Sequence, residues 1–359
     1  MYKLLLTTLR GLEKIAAEHI REIIPSAIID VKPYGFSGIL LVSNVEEIEE
    51  AVKLIREKIP EVEKIFPILA QTEANIEKIV EATLRVVVDK ISANDTFAVR
   101  TRRRGSHNFT SIDVNIQVGA AVREATGAEV DLNYPSKIVW IDILEDLALI
   151  SVTDGKIETK KITPDKPWIR DFLRKISLVQ VPYDGPSEAC YRVGVRIGRA
   201  VQTFEIGEIV VAPFKTCSGE SLYYFLKGLL EGIESRYKIQ LKTYPWKPRK
   251  VKVNIQDLYQ LVRDRRGEPI IATSTRGEVI VTALERKAEY ILKGKRISIL
   301  VGAREGLPTG VFRFSTITVD LSPGVTLPTD FAGFAAIISM ITVFEKLGLF
   351  PQVGAKSRK

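Results

Sequence analysis

The sequence of 359 residues predicts a multidomain protein of mixed α/β and α+β class, and three observations predict it. Strand-like and helix-like pieces alternate through residues 1–70 in the order β-α-β-β-α-β. Between Ile176 and Ala212 two apolar strands flank a helix-length stretch, a β-α-β unit that starts a parallel sheet. Near the C-terminus the apolar runs Ile297–Val301 and Ile317–Leu321 each end in a Gly/Pro-rich loop, and a helix-like stretch of small and apolar residues follows, Phe331–Leu347. Strands that end this way beside a small-residue helix bring backbone amides close to whatever binds at the strand tips. A chain of this length is expected to hold two or three domains.

Apolar residues make up 45% of the chain, so a real core is available. The formal charge of +8 suits a polyanionic partner without selecting one. Cys190 and Cys217 form no CxxC or other metal spacing. A disulfide framework is thereby excluded as an organising principle, which fits a reducing, cytoplasmic interior. His19 and His107 lie far apart, against a His-based metal site, and no metal is expected. No apolar run approaches about 18 residues free of charge, so no membrane span is expected. The opening MYKLLLTTLRGLEK reads as a first strand rather than a signal peptide. Abundant Lys, Glu and Ile with two Met and two Cys point to a thermophile. Walker A, GxGxxG and GxSxG patterns are missing, which argues against an NTPase, a dinucleotide enzyme and a serine hydrolase.

Within residues 1–70, Tyr2–Thr8 is strand-like, and Leu12–Ile24 places Leu12, Ile15, Ala16, His19, Ile20 and Ile23 on one helical face. Ala27–Lys32 and Gly38–Val42 read as strands punctuated by Pro33-Tyr34-Gly35. Ser43 is placed to cap a helix over Val45–Lys58, and Ile65–Leu69 closes the unit as a short strand. This order is the ferredoxin-like frame, which is common and says nothing of function.

Residues 74–155 form a second unit. Asn75–Ile91 is an amphipathic helix, and Thr96–His107 begins as a strand that ends in basic residues. Arg100, Arg102, Arg103 and Arg104 fall within five positions, a density that suits forked contacts to phosphate. A solvated, charged edge strand is the plain alternative. A helix over Ser111–Ala125 follows, whose open N-terminus would suit an anion. Asp131–Pro135 is a turn, and Lys137–Leu144 and Ala148–Val152 read as strands.

Residues 156–170 read as a linker. Ile176–Val181 is a buried-type strand, Ser187–Phe204 a helix capped by Ser187, and Glu208–Ala212 a second strand. Lys215–Lys250 reads as an insertion with a helix over Glu220–Tyr237. Its tail mixes Tyr244 and Trp246 with Lys247, Arg249 and Lys250, a composition that suits stacked bases and phosphates as well as it suits an ordinary surface. Asp257–Asp264 is helical, Ile270–Ala272 is a strand followed by a loop over Thr273–Gly277, and Ala283–Leu292 is a helix.

These residues carry two resemblances. The segments FAVRTRRRGSHNFTS, VGAAVREATGAEVDLNYPSKIVWIDI and ALISV resemble a THUMP domain, the RNA-binding module of several tRNA-modifying enzymes, here over residues 73–157. The ferredoxin-like unit before it, residues 1–72 with the helix LRGLEKIAAEHIREI, resembles the domain that usually precedes THUMP. Ile297–Ile341 resembles the C-terminal half of the SPOUT methyltransferases, and Ile176–Ala212 resembles that fold's first strand–helix–strand. A third domain over 168–352 follows, with the insertion at about 214–250.

The resemblance implies a trefoil knot, a homodimer through the C-terminal domain, S-adenosylmethionine as cofactor and tRNA as partner. It implies that three loops hold the cofactor through Thr273, Ser274, Gly277, Gly302, Gly306, Leu307, Leu321, Ser322, Gly324, Val325 and Leu327. Glu305 and Asp330 are the acid–base candidates, and Arg304 and Arg199 the orienting ones, with Arg192 and Arg196 further candidates by position. Arg100, Arg102, Arg103, Arg104, His107, Ser111, Lys247, Arg249 and Lys250 are the candidate RNA contacts. The implied reaction is methylation of a tRNA base, a guanosine in the acceptor stem or nearby core, at a fixed distance from a 3′ end gripped by THUMP. Gly302-Ala303-Arg304-Glu305-Gly306 stands where many members carry a Gly-Pro-Glu-Gly type run. That departure keeps two alternatives open: a non-catalytic tRNA-binding protein with a degenerate SPOUT domain, and transfer of the aminocarboxypropyl group instead of methyl.

Overall fold

The computed structural model describes residues 1–158, 163, 165–244 and 246–352. The chain divides into two compact units, residues 1–161 and 162–359. Among the described residues no helix is long and apolar enough to cross a membrane.

The first unit contains two sheets. β1 (Tyr2–Thr8), α1 (Glu13–Ile23), β2 (Ile28–Val31), β3 (Ile39–Ser43), α2 (Ile48–Lys58) and β4 (Val62–Pro67) follow the expected order. Their sheet runs β2-β3-β1-β4, antiparallel throughout. Leu4, Leu6, Leu40 and Val42 face the helices with Ala16, Ile20 and Ile55. Leu5, Ile39, Leu41 and Phe66 face the other way, onto Ile138, Trp140 and Leu149 of the second sheet. Burial on both faces is why Ile39–Val42 is an unbroken apolar run rather than an alternating one. Ser43 ends β3 and does not cap α2; Glu47 holds the cap position without a side-chain bond.

The second sheet is built from β5 (Ala70–Glu73), β6 (Thr96–Arg104), β7 (Glu129–Val130), β8 (Lys137–Leu144) and β9 (Leu147–Asp154), in the order β5-β9-β8-β6-β7. α3 (Ile76–Val87) and α4 (Ser111–Thr126) cover one face, over Phe97, Val99, Ile141 and Ile143. α3 begins after Asn75, which is its cap and accepts from the Lys78 amide, and it ends at Val87, four residues before the expected Ile91.

The second unit is one parallel sheet. Its elements are α5 (Arg170–Leu173), β10 (Ile176–Gln180), α6 (Ser187–Phe204), β11 (Glu208–Val211), α7 (Gly219–Thr243), β12 (Lys252–Ile255), α8 (Leu258–Asp264), β13 (Ile270–Val279), α9 (Ile280–Lys293), β14 (Ile297–Val301), β15 (Ile317–Asp320) and α10 (Thr329–Lys346). The strand order is β12-β11-β10-β14-β13-β15, parallel at every pairing. β14 thus enters between β10 and the earlier-formed β13. Leu178, Ile209, Ile271 and Ile299 face α6, α7, α9 and α10. Val179, Val210, Ile270 and Leu300 face α8 and the turn Thr309–Phe314.

Residues 214–250, expected as an insertion, hold α7. α7 is the crossover that carries the chain from β11 to its neighbour β12, and it lies against α6 with the two backbones in contact. A Cβ on Gly198 would fall 2.2 Å from the Leu229 carbonyl oxygen, and one on Gly228 would fall 2.2 Å from that of Tyr191. Gly194 and Gly198 opposite Gly228 and Gly232 are the small-residue spacing that permits this approach. The buried Gln202 and Gln240 side chains bond at 2.8 Å across the same interface, and Gln202 Oε1 accepts from the Val251 amide. Ser187 is the first residue of α6 and not its cap; its hydroxyl donates to Glu220 of α7.

Candidate functional site

The C-terminal ends of β13, β14 and β15 meet around a cleft of about 540 Å³. The first wall differs from the expected loop. β13 runs on to Val279, but its pairing with β15 breaks after Thr273 and resumes at Glu278. The intervening residues bulge out, and Gly277 brings the chain back so close that a Cβ would lie 2.5 Å from the Val319 carbonyl carbon. The second wall turns sharply after Val301. A Cβ on Gly302 would lie 2.4 Å from the Gly306 carbonyl carbon, and the Gly306 amide donates to Ala303 O at 3.0 Å. The third wall is a turn in which Asp320 Oδ1 accepts from the Ser322 amide and Ser322 O from the Val325 amide.

Thr273, Ser274, Gly302, Gly306, Leu307, Leu321, Ser322, Val325 and Leu327 line the cleft. Gly277 and Gly324 do not; they shape its walls from behind, Gly324 at φ +81°. Thr309, Phe312, Thr326 and Thr329 also line it and were not among the expected residues. Phe312 sits on a short turn packed beneath the second wall, and nothing in its local pattern marks it.

The four catalytic candidates separate. Arg304 and Glu305 line the cleft and are exposed. Glu305 Oε2 lies 2.6 Å from Lys215 Nζ. Asp330 is 7% exposed, outside the cleft lining, and is held 2.5 Å from Arg196 Nε. It ties the start of α10 to α6. Arg199 donates to the Ser235 hydroxyl of α7 at 2.7 Å and does not line the cleft. Arg192 pairs with Glu188 one turn back on its own helix.

The arginine strand is not free either. β6 alternates its side chains, so Arg100, Arg102 and Arg104 share one face and Arg103 points to the other. Arg102 forks onto the buried Asp142 at 2.8 and 2.5 Å and lies over the Phe66 and Trp140 rings. Arg104 Nη1 sits 3.6 Å from the same carboxylate. Burial lowers the Arg104 pKa below the usual range, and Asp142 only partly offsets this. Arg100 pairs with Glu158 at 2.8 Å. Arg103 makes a lone long bond to the His107 carbonyl, 3.3 Å. His107 Nε2 is 2.6 Å from Glu145 O. At the helix start expected at Ser111, Thr110 and Asp113 form a capping box: the Thr110 hydroxyl accepts from the Asp113 amide and the Asp113 carboxylate accepts from the Thr110 amide.

In the second unit, Lys250 pairs with Glu234 at 2.6 Å, and the Arg249 amide donates to Glu205. Trp246 donates to Glu205 and lies under Arg170. Lys247 and the Arg249 side chain are exposed.

A parallel sheet with a glycine-walled cleft over adjacent strand ends defines a class of domain that holds a small nucleotide-like ligand at the carboxyl edge. The chain belongs to the family of AF2226-like SPOUT RNA methylases fused to THUMP, whose model matches residues 170–358; a THUMP domain model matches residues 73–153. The uncharacterized protein MJ0421 of Methanocaldococcus jannaschii is 37% identical over 345 residues, covering 96% of this chain and 94% of that one. A probable tRNA sulfurtransferase of the same organism is 30% identical over 147 residues, 39% of this chain and 38% of its own. Among solved structures, PH1313 from Pyrococcus horikoshii Ot3 aligns over 97% of this chain and all of its own at 16% identity, with a TM-score of 0.38.

Proposed function

We propose that this protein is an S-adenosylmethionine-dependent tRNA methyltransferase. In this reading the first unit holds tRNA by its 3′ end, and the cleft at the ends of β13, β14 and β15 holds the cofactor. The observation that carries it is the glycine-backed cleft. Gly302 has no room for a Cβ, and Gly306 takes φ +81°, so backbone groups come to the ligand surface. Val301, Leu307, Leu321, Val325 and Leu327 offer apolar faces for an adenine, and Thr273, Ser274 and Ser322 offer hydroxyls for a ribose or carboxylate. The volume and donor set fit the group. When bound, it would supply a methyl on a sulfonium sulfur, which takes the C–S bonding pair and leaves as a neutral thioether while the methyl passes to the base. Glu305 at the cleft accepts the proton released by a base nitrogen, and Arg304 orients the RNA. Asp330 and Arg199 take structural places in this assignment.

The same reading carries the trefoil knot, the cytoplasmic setting, a guanosine of the acceptor stem or nearby core as the target, and a homodimer. The knot is favoured by the late entry of β14 between β10 and β13, followed by β15 on the far side of β13. The dimer is favoured by Phe331 and Ile338, 55% and 53% exposed along one stripe of α10.

Mass spectrometry of nucleosides from unmodified tRNA incubated with the protein and S-adenosylmethionine tests the reading. One nucleoside heavier by a methyl group is expected. An aminocarboxypropyl increment replaces the reaction. No change, with tRNA still bound, leaves a binding protein.

A further inference from the structure

Beside the cleft, at the carboxyl ends of β10 and β11, stands a second group of side chains whose rings Tyr183 and Phe214 rest on the core while its charged members stand exposed. Arg304 leaves the cleft wall in a left-handed conformation, φ +38°, which a non-glycine residue adopts only where its surroundings hold it. Its guanidinium lies 5.8 Å from the Tyr183 ring centroid, and Nη1 reaches the Asp184 carbonyl at 3.3 Å. The next residue, Glu305, pairs with Lys215. Lys215 Nζ is 5.9 Å from the ring of Phe214, and Phe214 meets Tyr259 edge to face at 6.5 Å. The row is continuous across four separate parts of the sequence: ring, cation, carboxylate, cation, ring, ring. Arg304, Glu305 and Lys215 are exposed, Tyr259 is 39% exposed, and Tyr183 and Phe214 are half-buried.

Tyr183 and Phe214 are half-buried against the core, Tyr259 keeps an open ring, and the cations Lys215 and Arg304 stand exposed beside them. The row opens directly into the cleft through Arg304 and Glu305, which line both. Rings that stack a base, set between cations that hold its flanking phosphates, are the chemistry of single-stranded nucleic-acid recognition. An acidic peptide would use the cations but has no need of the open ring.

We infer that this shelf seats the target ribonucleotide of the RNA, unstacked from its neighbours; the inference rests on the methyl-transfer reading of the adjoining cleft. The base stacks on the exposed ring of Tyr259, which Phe214 supports edge to face, and Lys215 and Arg304 take the flanking phosphates. With Lys215 drawn to a phosphate, the Glu305 carboxylate is left facing the cleft beside the bound base.

The test uses the full chain with unmodified tRNA. Ultraviolet cross-linking with mass mapping of the attached peptides should place nucleotides on the peptides that contain Phe214 and Tyr259. Tyr259→Ala and Lys215→Ala, both at exposed positions, should each raise the KM for tRNA about tenfold and leave S-adenosylmethionine affinity unchanged. Tyr259→Phe keeps the ring and should restore the wild-type KM. Cross-links confined to the first unit, or a wild-type KM in Tyr259→Ala, would overturn the inference. A wild-type protein that binds no S-adenosylmethionine would instead overturn the functional reading of the cleft, and the cross-linking map would still decide the shelf.

Discussion

The arginine strand β6 and the cleft over β13, β14 and β15 are the two stretches of sequence that point most directly at function, and the fold treats them in opposite ways. β6 turns three of its four clustered arginines onto carboxylates of its own unit, Glu158 and Asp142. The cleft keeps its walls open because glycines bring backbone to the surface where side chains would have blocked it. Side-chain charge can be satisfied from within, so a dense cationic run does not by itself make a binding surface. Close backbone approach can also serve packing, as Gly198 and Gly228 do between α6 and α7, but where it falls in loops on adjacent strand ends around a cleft it carries the stronger signal.

The sharpest way to break this contrast is at Gly302. Gly302→Val puts a branched side chain where even a Cβ meets the Gly306 carbonyl carbon at 2.4 Å. S-adenosylmethionine affinity, read by calorimetry, should fall by about a hundredfold or more, while tRNA binding by the first unit is kept. Undiminished cofactor affinity would show that the cleft does not hold it. Next in size is Glu305→Ala, which should lower kcat several hundredfold, roughly the range for a lost general base, with cofactor affinity kept. Asp330→Asn, which loosens the ion pair between buried Asp330 and the exposed Arg196, should leave turnover near wild type. If the two results exchanged places, the assignment of the base would have to exchange with them.

Within β6 the contrast can be sharpened by a pair of variants. Arg102→Ala strands the Asp142 carboxylate, 2% exposed, without its forked partner. A loss of about 3 kcal/mol in unfolding free energy is expected, read from urea titration. Arg103→Ala gives up a single long bond to a carbonyl and should cost well under 1 kcal/mol, while weakening tRNA binding more than its effect on stability accounts for. Equal stability losses for the two would mean that the alternation of β6 does not divide structure from recognition.

What could be read in the sequence follows the same division. The β-α-β-β-α-β order, the parallel β10–β11 unit and the loops around Gly302 and Gly324 are local patterns, fixed by period and by turn residues within a dozen positions. Edge strands β5, β7 and β12 are not legible because they are short and hold no buried residue, without the apolar run that marks the four-residue strands β11 and β15. The helix over 219–243 was legible, but its place as a sheet crossover was not, because that depends on β12 pairing with β11. Likewise Glu305 with Lys215, Asp330 with Arg196 and Arg102 with Asp142 are partnerships across 40 to 134 residues of chain, and no local spacing announces them. Position in the chain and the family resemblance therefore gave Asp330 and the arginine cluster the same standing as Glu305.

The smallest expected effect extends the contrast to acid. Glu13 in the first unit is buried, which by itself would raise its pKa. Backbone amides, Gly11 at 2.9 Å and Gly38 at 2.5 Å among them, and Lys32 at 3.5 Å more than offset this and hold it at about 2. The folded state therefore binds this proton less readily than the unfolded chain, whose carboxyl titrates near the ordinary glutamate value of about 4.3. The stabilisation is complete above that value and is lost progressively as pH falls toward 2. Glu13→Gln should lower the unfolding midpoint at pH 7 by a few degrees, from the weaker hydrogen bonds a neutral acceptor makes. The gap between variant and wild type should close as the pH is taken from 5 to 2.5, because the wild-type carboxylate is losing its advantage over the same range. A gap that stays constant over that range would mean that the amides around Glu13 hold the side chain by shape rather than by its charge.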